Sequence, residues 1–134
     1  MVVADTDVLI DALDRGRGPA VERIARLLQR GELAATAVTL YELMAGPSTT
    51  GRQLELLHVA LDAAVVLPVT RGAAEVAASA NRYLARRGEA IAVADTLIAG
   101  VCIAHGLPLL TGNRKHFARI PGLELVPLEE REGT

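Results

Sequence analysis

Three acidic residues stand in stretches where a carboxylate is costly. Asp5 closes the apolar run at residues 2–4, Glu42 is flanked by Leu40, Tyr41, Leu43 and Met44, and Asp95 lies within IAVADTLIAGV. An ionised carboxylate in apolar surroundings costs several kcal/mol or shifts its pKa unless something offsets its charge. The chain places no obvious arginine or lysine beside any of the three. Two like charges about 4 Å apart repel by roughly 1–4 kcal/mol at effective dielectrics between water and a protein surface, so a cluster of them calls for a cation. Oxygen-only ligands favour magnesium or manganese over zinc. Such an ion lowers the pKa of a bound water, orients it toward phosphorus and stabilises the leaving oxygen, which gives hydrolysis of a phosphodiester without a nucleophilic side chain. Each acid also has a structural reading. Asp5 could cap the turn after its strand, Glu42 could pair with an arginine, and Asp95 could sit at a helix N-terminus as a dipole partner.

The elements that must position these acids alternate between strand and helix. VVADTDVLIDALDR starts as a short strand and shifts to helical spacing through Leu9, Ile10 and Leu13, until Gly16 and Gly18 break it. Pro19 is placed to open a helix whose stripe of Val21, Ile24, Leu27 and Leu28 opposes Glu22, Arg23, Arg26 and Arg30. A strand at 33–35 precedes a helix capped by Thr36 or Thr39 that carries Glu42 and stops at Gly46-Pro47. A helix over 51–61, the strand AVVLPV and a long helix capped by Thr70 and ending at Gly88 follow. The helix at 91–105 carries Asp95 and stops at Gly106. A strand at 108–111, a helical turn at 114–119 and a strand at 123–126 close the chain. This alternation predicts an α/β fold, a mostly parallel sheet covered on both faces. Ligands of such sheets collect at the carboxyl ends of the strands, and Asp5 and Asn113 both follow strand ends. Asp7 is expected to cap the helix after Asp5, or else to join the acids; Asp11, Asp14 and Asp62 read as solvated.

Composition narrows the functional classes. The 134 residues suit one domain, 1–134, with a single real core, and 51% hydrophobic content argues against disorder. Tyr41, Tyr83 and Phe117 are the only aromatic residues, so serial stacking of bases on rings is excluded as a general binding mode. A net charge of −2 supplies no global basic field, and nucleic acid would have to be held by local basic patches. Arg114, Lys115, His116 and Arg119 after Asn113 form one such group, and Arg82, Arg86 and Arg87 a second that reads more readily as a solvated helix end. His58, His105 and His116 show no ligand spacing. Cys102 is the only cysteine, which excludes an intrachain disulfide framework; its apolar neighbours point to a buried thiol. Neither a signal segment nor a membrane span is visible, and a cytoplasmic location is expected.

The segments VVADTDVLID, VTLYELMAG, IAVADTLIAGVCIAHGLPLLT and TGNRKHFARIPGLELV, taken in this order, resemble the PIN-domain nucleases, and among them the VapC-type toxins of bacterial toxin–antitoxin pairs. The resemblance spans essentially the whole chain. It implies a three-layer α/β/α sandwich and a metal-dependent endoribonuclease using Mg2+ or Mn2+. It implies that Asp5, Glu42 and Asp95 are the metal-binding catalytic acids, and that the Thr6 hydroxyl supports the first acid or a substrate phosphate. It also implies a homodimer, an RNA substrate, and a small antitoxin that covers the site with a basic side chain. The family's fourth acid corresponds to Asn113, an uncharged supporting residue, which implies one firmly held ion and a second recruited with the RNA phosphate. Arg114, Lys115 and Arg119 are then the candidate RNA contacts.

Two other readings stand beside this one. Asp5-Thr6-Asp7 after a strand, with Thr111 and Lys115 later, has something of a haloacid-dehalogenase-type phosphatase, although the spacing after Asp7 is wrong and no paired aspartates follow Lys115. A non-catalytic PIN-like module binding RNA or protein is the other, and Asn113 is the residue that favours it.

Overall fold

The computed structural model describes residues 1–46 and 51–128; Pro47, the expected helix stop, lies outside them. Five short strands form one parallel sheet: β1 (Val2–Ala4), β2 (Leu33–Thr36), β3 (Val65–Leu67), β4 (Leu109–Leu110) and β5 (Leu125–Val126), in the order β3-β2-β1-β4-β5. Between them run α1 (Thr6–Arg15), α2 (Pro19–Gln29), α3 (Ala37–Ala45), α4 (Gly51–Ala63), α5 (Arg71–Arg86), α6 (Val93–His105) and α7 (Arg114–Phe117). All strand pairs are parallel, so the sheet is more uniform than the expected mostly parallel one.

Alternation along the strands builds two cores. Ala4, Leu33, Ala35 and Leu110 face a cluster with Val8, Leu9, Ile24, Leu27, Leu43 and Leu57 from α1 to α4. Val3, Ala34 and Leu109 face the other way, onto Leu84, Ile98, Ala99, Cys102, Phe117 and Ile120. The β-strand period of two dictates this division, and the result is the expected α/β/α sandwich.

Local signals fixed the helix ends. The Thr36 side chain accepts from the Thr39 N–H at 3.1 Å and the Thr70 side chain from the Ala73 N–H at 3.1 Å, satisfying donors left open in each first turn. Pro19 opens α2. Gly106 ends α6 with φ +64°, a left-handed conformation that glycine adopts without steric cost. Among the described residues no helix is long and apolar enough to cross a membrane.

Helices α5 and α6 pack in close contact. A Cβ on Gly100 would stand 2.4 Å from the Ala73 carbonyl oxygen and 2.9 Å from the Ala77 Cβ. Alanine improves helix propensity by about 1 kcal/mol, but here it drives into backbone that cannot rotate away. Gly100→Ala is therefore expected to destabilise the chain by about 1–3 kcal/mol, read as a lower urea midpoint at unchanged slope.

Candidate active site

The chain steps outward from β1 to β2 and β3, then returns to place β4 on the other flank of β1. Connections diverge on either side of β1 and β4, leaving a crevice at their carboxyl ends. Asp5 leaves β1 there, and Thr111 and Asn113 leave β4. Asp5 is only 3% exposed. Its Oδ1 accepts the Val8 N–H at 2.8 Å, so Asp5 is the N-cap of α1, while Oδ2 accepts the Thr111 hydroxyl. The cap and the acid are thus one residue. Asp7, which the sequence suggested as the cap, lies within the first turn of α1 and is exposed. Its charge acts on both Asp5 and Asp95, which places it beside the acids.

Glu42 is half-buried on α3. The Thr6 hydroxyl donates to Glu42 Oε1 at 2.7 Å and lies 3.1 Å from the buried Thr39 hydroxyl. Thr6 therefore supports Glu42, and the support expected for Asp5 comes from Thr111. Tyr41 and Met44, which made the surroundings of Glu42 look apolar, point outward and are 72% and 59% exposed, because neighbours in sequence lie on different sides of a helix. Asp95 is half-buried in the first turn of α6.

The electrostatics of this edge are those of uncompensated anions. Burial pushes the Asp5 carboxyl up to about 6 against the hydrogen bonds from Thr111 and Val8, and the charges of Asp7 and Asp95 add to the rise. Asp95 is also raised, first by burial and then by Asp7 and Glu42, with His116 acting in the opposite direction. Favourable placement at a helix N-terminus is outweighed in both. No lysine or arginine forms an ion pair with Asp5, Glu42 or Asp95 among the described residues. Hard oxygen donors carrying unbalanced negative charge fit a divalent cation. Among the described residues no three His, Cys, Asp or Glu side chains meet as a finished ligand set; magnesium is characteristically held by one or two carboxylates and several waters rather than by a protein cage.

Asn113 occupies the half-buried turn after β4. Its N–H donates to the Thr111 hydroxyl oxygen at 3.0 Å, and its Nδ2 lies 3.0 Å from His116 Nδ1. Two of the three expected RNA contacts are engaged within the chain: Arg114 Nη1 donates to the Val126 carbonyl at 2.8 Å, and Arg119 pairs with Glu89 at 3.3 Å. Lys115 is exposed and unpaired among the described residues. Sequence reasoning passed over Thr39 and Thr111 as parts of this edge, and took His116 only as one of the local basic group after Asn113. Thr111, a hydroxyl at the end of the apolar run LPLL and two residues before Asn113, was the legible one. Cys102 is fully buried, and burial followed by the Asp5 charge pushes its thiol up to about 12, so it is inert.

Residues 2–123 match the family model described as PIN domain. A ribonuclease VapC19 of Mycobacterium tuberculosis is 32% identical over 125 residues, covering 92% of this chain and 98% of that protein. A tRNA(fMet)-specific endonuclease VapC of Shigella flexneri is 29% identical over 122 residues, covering 89% and 91%. Among solved structures, a DNA-bound VapBC from Salmonella typhimurium superposes with a TM-score of 0.83 at 25% identity, covering 95% of this chain and 97% of that one.

Proposed function

Because this chain belongs to the PIN-domain family, and within it to the VapC-type ribonucleases, we propose that it is a toxin endoribonuclease whose Asp5, Glu42 and Asp95 hold Mg2+ or Mn2+. The observation that carries the reading is the gathering of these acids, with Asp7, at one sheet edge where no lysine or arginine of the described residues balances them. A bound divalent ion supplies an activated water and charge stabilisation at the leaving oxygen. The chain itself fixes the acids. Thr111 and the Val8 N–H orient Asp5, and Thr6 orients Glu42. The α6 N-terminus presents Asp95. Asn113, tied to His116, offers no charge for a second ion, in keeping with one resident ion and another arriving with the RNA phosphate.

Partners follow from the same membership. A groove of about 300 Å3 between α1, α2 and α4, lined by Leu9, Leu13, Ile24, Leu28, Leu56 and Val59, is suited to an apolar antitoxin segment. The toxin–antitoxin complexes among the structural relatives support that occupant. Tyr41 and Met44, three residues apart on α3 and both exposed, are apolar surface that a homodimer would cover.

The test is cleavage of a total-RNA pool with added Mn2+, with and without excess EDTA. Cleavage is expected with the ion and loss of at least ~100-fold in the chelator. Equal cleavage in both would sink the metal assignment, and no cleavage of any RNA under either condition would sink the enzyme.

A further inference from the structure

We propose that the C-terminal half of α5 is a phosphate-binding strip that holds the single-stranded substrate RNA beside the acidic centre; this rests on the ribonuclease reading above. An acidic centre repels a polyanion, so a chain of net charge −2 needs local cations to hold one. The basic group after Asn113 is a poor source. Arg114 is spent on the Val126 carbonyl and Arg119 on Glu89, leaving Lys115.

Arg82 and Arg86 on α5 are in the opposite condition. Ala73, Ala77, Ala80 and Leu84 bury one face of α5, which turns Arg82 and Arg86 outward. Both are exposed, and neither has a carboxylate partner among the described residues. Arg15 and Arg71, by contrast, pair with Asp11 and Glu75 across one helical turn; Arg17, Arg30 and Arg52 are exposed without a carboxylate partner among the described residues, but no two of them stand one turn apart on a helix. Arg82 and Arg86 are themselves one turn apart, about 6 Å along the axis, a step comparable to that between successive phosphates of an extended strand. Helix-dipole stabilisation accounts for a cation in the last turn, which covers Arg86 but not Arg82.

The surroundings are ordered for binding. Ser79, Arg82, Tyr83, Arg86 and Arg87 line a surface depression of about 580 Å3. The Arg87 guanidinium lies 5.2 Å from the centre of the Tyr83 ring and pairs with Glu89 at 3.2 Å. Tyr83 remains 40% exposed, so a single base can rest on it although serial stacking is impossible. Glu89 also holds Arg119, just after α7, and only residues 87–92 separate α5 from α6, which carries Asp95 in its first turn. The strip is thereby tied to both elements that flank the acids.

The experiment measures binding of a fluorescein-labelled, mixed-sequence 20-nucleotide single-stranded RNA to the full chain carrying Asp95→Asn, across a KCl series. Arg82→Ala/Arg86→Ala is expected to bind about tenfold or more weakly at moderate salt. Its slope of log K against log [KCl] should be shallower by about 1.4, the loss of two phosphate contacts on a single strand. Arg82→Lys/Arg86→Lys should restore the slope, and Arg17→Ala/Arg30→Ala, which removes equal charge from exposed positions around α2, should match the parent. The strip is overturned if the α5 alanine variant binds with the parent's affinity and slope, or if the α2 control loses as much. A 20-residue poly-glutamate bound as tightly as RNA, and lost as fully by the alanine variant, would assign the strip to an acidic protein and also overturn it. Failure of the parent to bind RNA at all would remove the ribonuclease reading, a result distinct from failure of the strip alone.

Discussion

Asp95→Asn is expected to lower RNA cleavage by roughly 1000-fold or more, a loss of ~4 kcal/mol in transition-state stabilisation, while leaving the fold intact. Asparagine keeps the size and one carbonyl oxygen of the side chain but removes the charge that a hard cation needs. Asp95 is raised by burial, Asp7 and Glu42, so neutralising it relieves repulsion in the metal-free chain and should not cost stability. The structural reading, a dipole partner at the start of α6, makes the opposite forecast: a loss of several tenths of a kcal/mol in stability and no effect on chemistry. Single-turnover cleavage of labelled RNA at saturating Mn2+, beside calorimetric titration of Mn2+, separates the two. Activity within tenfold of the parent would take Asp95 out of the site.

The features legible in the sequence were those set by local chemistry. The pair Thr36 or Thr39 and, later, Thr70 announced two helix starts, Pro19 a third, and Gly106 a stop, because caps and turns act within a few residues. Asp5 at the end of an apolar strand announced the sheet edge, and the strand–helix alternation gave the sandwich. What stayed hidden depends on contacts between distant segments. Thr111 reaches Asp5 across 106 residues and Thr6 reaches Glu42 across 36, and no spacing rule encodes either. The α7 turn has only four residues, too few for a periodicity that would have shown Arg114 turned toward β5. The state of the second basic group was hidden for a related reason: whether Arg82 and Arg86 are paired depends on what stands opposite α5, and a sequence shows only what stands beside it.

Asp5 makes the second large effect, on stability, and its sign runs against the usual behaviour of a capping aspartate. An N-cap carboxylate ordinarily sits below its unperturbed pKa, which stabilises the fold above that pKa. Here the folded-state value is about 6 and the ordinary value 3.8, so the folded chain holds the proton more tightly than the unfolded one. Stability from this group is full below the ordinary value and is lost as pH rises through about 6, amounting to about 3 kcal/mol at pH 7 and above. In EDTA, Asp5→Asn should therefore be more stable than the parent by about 3 kcal/mol at pH 7.5, or roughly 10 °C in Tm. The gap should close as pH falls toward 4, because the amide can still accept the Val8 N–H and meet the Thr111 hydroxyl. Added Mn2+ should reverse the order, since binding to the folded parent stabilises it by RT ln(1 + [Mn2+]/Kd) and the variant lacks the charge to share in this. Thermal melts of both chains at pH 4.5 and 7.5, with EDTA and with Mn2+, test every term. A parent more stable than the variant at pH 7.5 in EDTA would mean that Asp5 serves the fold as a cap. The expected inversion would mean that the fold tolerates a destabilising acid at the sheet edge, and that a cation restores the balance.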